Sequence, residues 1–165
     1  PRRSGMLPRL VALLVGAAVC FAGSASAVAV ETVTAETLPK FLAAHKGQPV
    51  FLDLYAPWCG HCKRLAPEFE RLPALASTVA FAKMDATVQA NAAAADRLGK
   101  WSGYPTLWLL PSGQANGPIE YTGDYSTAES IAGWLSGGAA RFREQASGKA
   151  VLRRPAQLQQ CPRPL

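Results

Sequence analysis

Acidic residues are almost missing from both ends of this chain. Residues 1–27 hold Arg2, Arg3 and Arg9 and no Asp or Glu, and residues 139–165 hold six cations against Glu144 alone. Residues 28–138 carry eight cations and ten acids. The formal net charge of +6 therefore belongs to the ends, and the middle offers no phosphate-binding face, which argues against a nucleic-acid partner. Charge is scarce overall, at 17% of residues against 49% hydrophobic. That balance excludes a disordered chain and suits one packed domain of ordinary size in 165 residues. No internal repeat is visible.

Histidine and cysteine are few, with His45 and His61, and with Cys20, Cys59, Cys62 and Cys161. A structural zinc site needs four ligands. Cys20 lies in the N-terminal segment, Cys161 in the C-terminal tail, and His61 is wedged between Cys59 and Cys62, so no second ligand pair exists and no metal is expected. The spacing of Cys59 and Cys62 also fits an inert structural disulfide less well than a redox pair.

Charge is absent from Leu10 to Val30. Arg9, the apolar run Leu10–Ala22 and the small residues Ala25-Ser26-Ala27 form the pattern of a secretory signal peptide, residues 1–27, with Val28 as the expected mature start. Residues 1–5 precede Met6 and are read as upstream sequence. The rival reading is an uncleaved anchor, weakened by an Ala-, Gly- and Ser-rich second half. Either way the domain is expected outside the cytosol, where disulfides persist.

Residues 28–138 alternate strand and helix patterns. Strands are predicted at Val30–Val33, Val50–Tyr55, Val79–Met84, Thr106–Leu110 and Ile119–Tyr121. Helices are predicted at Glu36–His45, from Cys59 onward, at Val88–Leu98 and from Thr127 to Gly137-Gly138. Pro67 is expected to kink the second helix and Pro73 to end it early. Pro111-Ser112-Gly113 reads as a turn. The order βαβαβαββα implies an α/β fold, a central mixed sheet flanked by helices on both faces. Residues 139–165, rich in Arg, Gln and Pro, read as a flexible basic tail.

The chemistry sits in Trp58-Cys59-Gly60-His61-Cys62. At a helix N-terminus, unpaired N–H groups and the macrodipole favour a thiolate on Cys59. Cys62, one turn inside, is expected to be the more buried sulfur, resolving mixed disulfides that Cys59 forms. His61, as a cation or through its donors, would stabilise the Cys59 thiolate, and Pro57 and Trp58 would make an apolar lip around the sulfur.

The segment VFLDLYAPWCGHCKRLAPEFERL resembles the active-site segment of protein disulfide isomerase domains. FAKMDAT and GYPTLWLLPSG resemble two further blocks of that family, and ETVTAETLPKFL its opening strand and helix, so the likeness covers about 30–137. It implies a single thioredoxin-like domain that forms and rearranges disulfides in unfolded or misfolded secretory proteins in the endoplasmic reticulum lumen. Glutathione or an upstream oxidase would turn the domain over, and no cofactor is implied.

By matching positions, Asp53 is the buried acid beneath Cys62. The family carries glutamate there in disulfide isomerases and aspartate in thioredoxins. An unpaired carboxylate in that apolar run would be costly, and a raised pKa would let Asp53 accept the Cys62 proton. Lys83 matches the family's lysine near this acid, with a structural ion pair as the alternative for both residues. Pro105 matches the cis-proline beside the cysteines, and with Trp58, Gly60 and Tyr104 it makes the substrate-contacting set.

The chain departs from the family in several places. No arginine follows Tyr121-Thr122-Gly123, where isomerase domains carry one that helps the second cysteine ionise. The segment from Asp85 to Gly103 is longer than usual, and Trp101 stands where a small aliphatic is common. No KDEL-type tetrapeptide appears at Cys161-Pro162-Arg163-Pro164-Leu165, which keeps secretion or membrane anchoring open. Cys161 is expected to be a free thiol on a loose tail, ahead of pairing with another chain or acting as an extra exchange partner. Two other functions compete: a thioredoxin-like disulfide reductase, and a peptide-binding holdase or subunit whose cysteines are incidental.

Overall fold

The central strand of the sheet, β2 (Val50–Tyr55), is buried along nearly its whole length. Its side chains alternate between the two faces, as a strand's period of two requires. Val50, Leu52 and Leu54 join one core cluster, and Phe51 joins the other. β2 pairs in parallel with β3 (Ala80–Asp85), which pairs in parallel with β1 (Val30–Thr32). On its other side β2 pairs antiparallel with β5 (Thr106–Leu110), and β5 with β6 (Ile119–Glu120). The sheet order is β1-β3-β2-β5-β6. The computed structural model describes residues 29–111, 117–137 and 160–163. Residues 1–28, residues 112–113 of the expected Pro111–Gly113 turn, and most of the tail lie outside the described residues.

Helices α1 (Leu38–Ala44) and α3 (Gln89–Leu98) cover one face through Leu38, Phe41, Leu42 and Ala95. Helices α2 (Gly60–Leu75) and α4 (Ala128–Ser136) cover the other through Leu65, Phe69, Leu72, Ile131 and Leu135. This is the expected α/β arrangement, a mixed sheet between helices in the order read from the sequence. Phe51 anchors the second core. Its ring lies 5.8 Å from Phe69, 6.2 Å from both Phe81 and Tyr121, and 6.4 Å from Trp134, centroid to centroid. Thr127 caps α4 by accepting from Ser130 N, and Glu68 of α2 accepts from Ala128 N at 2.9 Å, joining the start of α4 to α2.

Two differences from the sequence reading concern local elements. Helix α2 does not stop at Pro73 but runs through both Pro67 and Pro73 to Leu75. Leu65, Phe69 and Leu72 are buried against the sheet, and that packing outweighs the hydrogen bonds the prolines cannot donate. The second difference is a separate two-stranded sheet in which β4 (Gly103–Tyr104) pairs antiparallel with β7 (Cys161–Pro162). Where it is described, at residues 160–163, the tail is docked rather than loose.

Candidate redox site and peptide groove

Cys59 occupies the N-cap of α2 in an extended conformation, and Cys62 lies inside the first turn. The Tyr104–Pro105 bond is cis, as the resemblance implied. Cys59 Sγ lies 3.4 Å from the Tyr104 carbonyl oxygen. Cys59 is disulfide-bonded and has no proton to donate, so this is a contact; in the thiol form the same carbonyl would accept from S–H.

In this structure the Cys59 sulfur is bonded outside the expected pair. Cys59 is joined to Cys161, 102 residues away in sequence, with their Cα atoms 6.0 Å apart, and among the described residues Cys62 is the free cysteine. The expected Cys59–Cys62 disulfide is therefore absent in this state, and Cys161 is neither free nor on a loose strand. The expected order of burial changes as well. Cys59 is fully covered and Cys62 is 4% exposed, because the docked tail lies over the sulfur that would otherwise face solvent.

Asp53 stands where the sequence placed it. It is buried, and its Oδ1 has no hydrogen-bond partner. Burial raises its pKa to about 7, against a smaller opposing pull from Lys83. The alternative of a close Asp53–Lys83 ion pair is not seen: Lys83 Nζ donates to Glu70 Oε1 at 2.5 Å, leaving Lys83 to act on Asp53 only through space. Burial also pushes the Cys62 thiol up to about 11, with the Asp53 charge adding to the rise and backbone hydrogen bonding opposing it. Asp53, Cys62 and Lys83 share a cavity of about 220 Å³ with Tyr55, Glu70 and Phe69. An acid that ionises near neutrality and a thiol that holds its proton thus line one space.

His61 is met by side chains from α2 and from the segment before α4. Its Nδ1 lies 2.7 Å from Arg64 Nη2 and 3.3 Å from the Tyr125 hydroxyl. A guanidinium only donates, so Nδ1 is an acceptor here and the ring's remaining donor is Nε2–H. Gly60 leaves the start of α2 uncovered, and a Cβ there would meet Arg64 Nη1 only at 3.9 Å. Trp58 is 52% exposed and packs edge-on against Tyr104 at 5.7 Å. Among the described residues no three His, Cys, Asp or Glu side chains converge on a common point.

Sequence reasoning missed the groove on the other side of Tyr104. Tyr104 pairs with Cys161 and Gly103 with Pro162. Arg163 N donates to Ser102 O at 3.3 Å, and Gln160 Nε2 donates to Pro105 O at 3.0 Å. Arg163 donates through Nη1 and Nη2 to the two Asp96 oxygens at 2.9 and 3.0 Å, and its guanidinium lies 4.4 Å from the centre of the Trp101 ring. The one sequence signal here was Trp101 itself, a large aromatic in an unusual place.

A cysteine at a helix N-cap, a second one turn in, and a cis-proline beside them on a mixed α/β sheet define a thioredoxin-fold protein with a redox-type cysteine pair. The chain belongs to the thioredoxin family, whose profile matches residues 29–136. It is 41% identical over 103 residues to a protein disulfide-isomerase of Aspergillus niger, covering 58% of this chain and 19% of that protein. It is 42% identical over 98 residues to the protein disulfide-isomerase of Oryctolagus cuniculus, covering 57% and 18%. The chain thus spans about a fifth of the length of these curated relatives. Among solved structures it is similar to thioredoxin f from spinach chloroplast in its short form. The TM-score is 0.54 at 30% identity, covering 70% of this chain and 96% of that one. Human ERp44 form I, at 23% identity and a TM-score of 0.54 over 65% of this chain and 28% of that one, shares the fold. Fold and cysteine pair together support oxidoreductase activity in general.

Proposed function

We propose that this chain is a thiol–disulfide oxidoreductase of the secretory pathway that forms and rearranges disulfides in client proteins. The observation that carries the reading is the state of Cys59, which holds a cysteine from an extended strand laid against Tyr104. That is the geometry an exchange intermediate with a client needs. From such an intermediate the Cys62 thiol attacks Cys59 Sγ, the Cys59–Cys62 bond forms, and the client leaves as a thiol carrying one proton. Asp53 takes the Cys62 proton during the attack, since it is the acid of this cavity whose pKa lies near neutrality. Run backwards, the step joins a client thiol to Cys59 and frees Cys62. A second client thiol then attacks the client sulfur of that bond, so the client disulfide forms as Cys59 leaves and the Cys59–Cys62 pair ends reduced. Glutathione or an upstream oxidase would restore the disulfide. The WCGHC segment, the resemblance to disulfide isomerases and the signal-like residues 1–27 support a lumenal setting.

A second reading, a thioredoxin-like reductase, is favoured by Asp53, the acid of thioredoxins rather than isomerases. A glutathione redox titration distinguishes the two. It should be read by Cys59 alkylation in the full chain and in the Cys161→Ser variant, where the tail thiol no longer competes. A midpoint near the isomerase value of about −180 mV is expected. A midpoint near the thioredoxin value of about −270 mV would replace the oxidase–isomerase assignment with a reductase. Full activity on scrambled disulfides after loss of both Cys59 and Cys62 would favour the holdase.

A further inference from the structure

We propose that Asp96 and Trp101 form a subsite that selects a cationic residue two positions after the reacting cysteine of a client peptide. The proposal rests on the exchange reading above and adds the class of segment the groove prefers, Cys-x-Arg or Cys-x-Lys.

The tail shows how a strand is read. With Cys161 opposite Tyr104 and Pro162 opposite Gly103, the next residue falls beside Ser102, whose carbonyl accepts from Arg163 N. The register is set by the backbone of β4, so a client strand bonded to Cys59 in the same direction places its own second residue there. Gly103 admits this approach because it has no side chain: a Cβ would lie 2.8 Å from the Cys161 carbonyl oxygen and 2.9 Å from Gln160 Cβ.

The chemistry at the second position suits a guanidinium. Asp96 presents both oxygens to the fork of Arg163 at 2.9 and 3.0 Å, a bidentate arrangement that an ammonium cannot reproduce in full. Trp101 does two things. Its Nε1 donates to Asp96 Oδ1 at 3.0 Å, which orients the carboxylate, and its ring face lies under the cation. The indole is held in turn by edge-on packing against Tyr104 at 5.3 Å. Two neighbouring elements, the end of α3 and the segment entering β4, thus supply a charge and a platform at the residue two places beyond Cys161. Glutamate at the client's second position would meet Asp96 as a like charge.

The groove empties without an outside reductant. Cys62 attacks Cys59 Sγ, the Cys59–Cys161 bond breaks as Cys59–Cys62 forms, and Cys161 departs as a thiol with the proton Cys62 gave up. One disulfide and one thiol stand on each side of this step. The tail is therefore an internal competitor for the subsite.

The test uses the full chain carrying Cys161→Ser and Arg163→Ala, so that the tail neither bonds nor fills the subsite. The oxidised protein is mixed with the peptides Ala-Gln-Cys-Pro-Arg-Ala, Ala-Gln-Cys-Pro-Ala-Ala and Ala-Gln-Cys-Pro-Glu-Ala. Each rate is divided by that peptide's rate with oxidised glutathione, to remove differences in thiol acidity. The Arg peptide is expected to react about tenfold faster than the Glu peptide, the scale of an exposed bidentate ion pair plus a cation–π contact. Adding Asp96→Asn should collapse the ratio, and adding Asp96→Lys should invert it. Equal normalised rates for all three peptides, or an Arg preference that survives Asp96→Lys, would overturn the subsite while leaving the oxidoreductase reading intact. Failure of the Cys59–Cys62 form to oxidise any peptide would overturn both.

Discussion

Replacing Asp53 with Asn should flatten the pH dependence of this domain's stability. Asp53 is buried with an unpartnered oxygen, and burial lifts its pKa from 3.8 to about 7. An unfolded chain loses that proton near pH 4 and the folded one keeps it to about pH 7. Between those values the folded state binds more protons, so stability falls as pH rises and levels off above the folded value. Three units at about 1.4 kcal/mol each give a cost of about 4 kcal/mol by pH 8. More than half of this develops between pH 5 and pH 8, and water entering the adjoining cavity would reduce it. The assay is urea unfolding of wild type and Asp53→Asn at pH 5, 6, 7 and 8. The Asn amide carries its own fixed cost of unpaired groups, so the quantity that matters is the difference in slope. Wild type should lose about 2 kcal/mol more than the variant across that range. Parallel profiles would refute the raised pKa, and with it the assignment of Asp53 as proton acceptor for Cys62.

Gly103→Ala should shift the disulfide from Cys59–Cys161 toward Cys59–Cys62, because the new methyl collides with the Cys161 carbonyl. Peptide mapping under non-reducing conditions reads the ratio, and an unchanged Cys59–Cys161 fraction would contradict the docked tail. Phe51→Ala, which empties the centre of the aromatic cluster on the α2–α4 face, should cost about 4 kcal/mol by urea unfolding. A loss below about 1 kcal/mol would mean that core is not packed as described.

The local pattern of residues determined a great deal. Hydrophobic runs of strand length and helical stripes placed β2 and β5 at their observed bounds and the other main elements within a few residues, because both periods are written residue by residue. Cys59 at a helix start, Cys62 one turn in and Asp53 mid-strand follow from the same local logic, since a charge inside an apolar run marks itself. What the local pattern could not carry was partnership across the chain. Cys59 and Cys161 are 102 residues apart, and nothing near either one records the other. The two-residue strand β4, whose partner among the described residues is the tail, is too short for any periodic signal to mark. Lys83 turned to Glu70 rather than Asp53, a choice between two nearby acids that depends on side-chain direction in the packed fold. Pro73 was overruled by the burial of its own helix. Local residue pattern identifies the sulfur at the helix start. Its bonding partner follows from packing alone, because a disulfide depends on which cysteines the folded chain brings together.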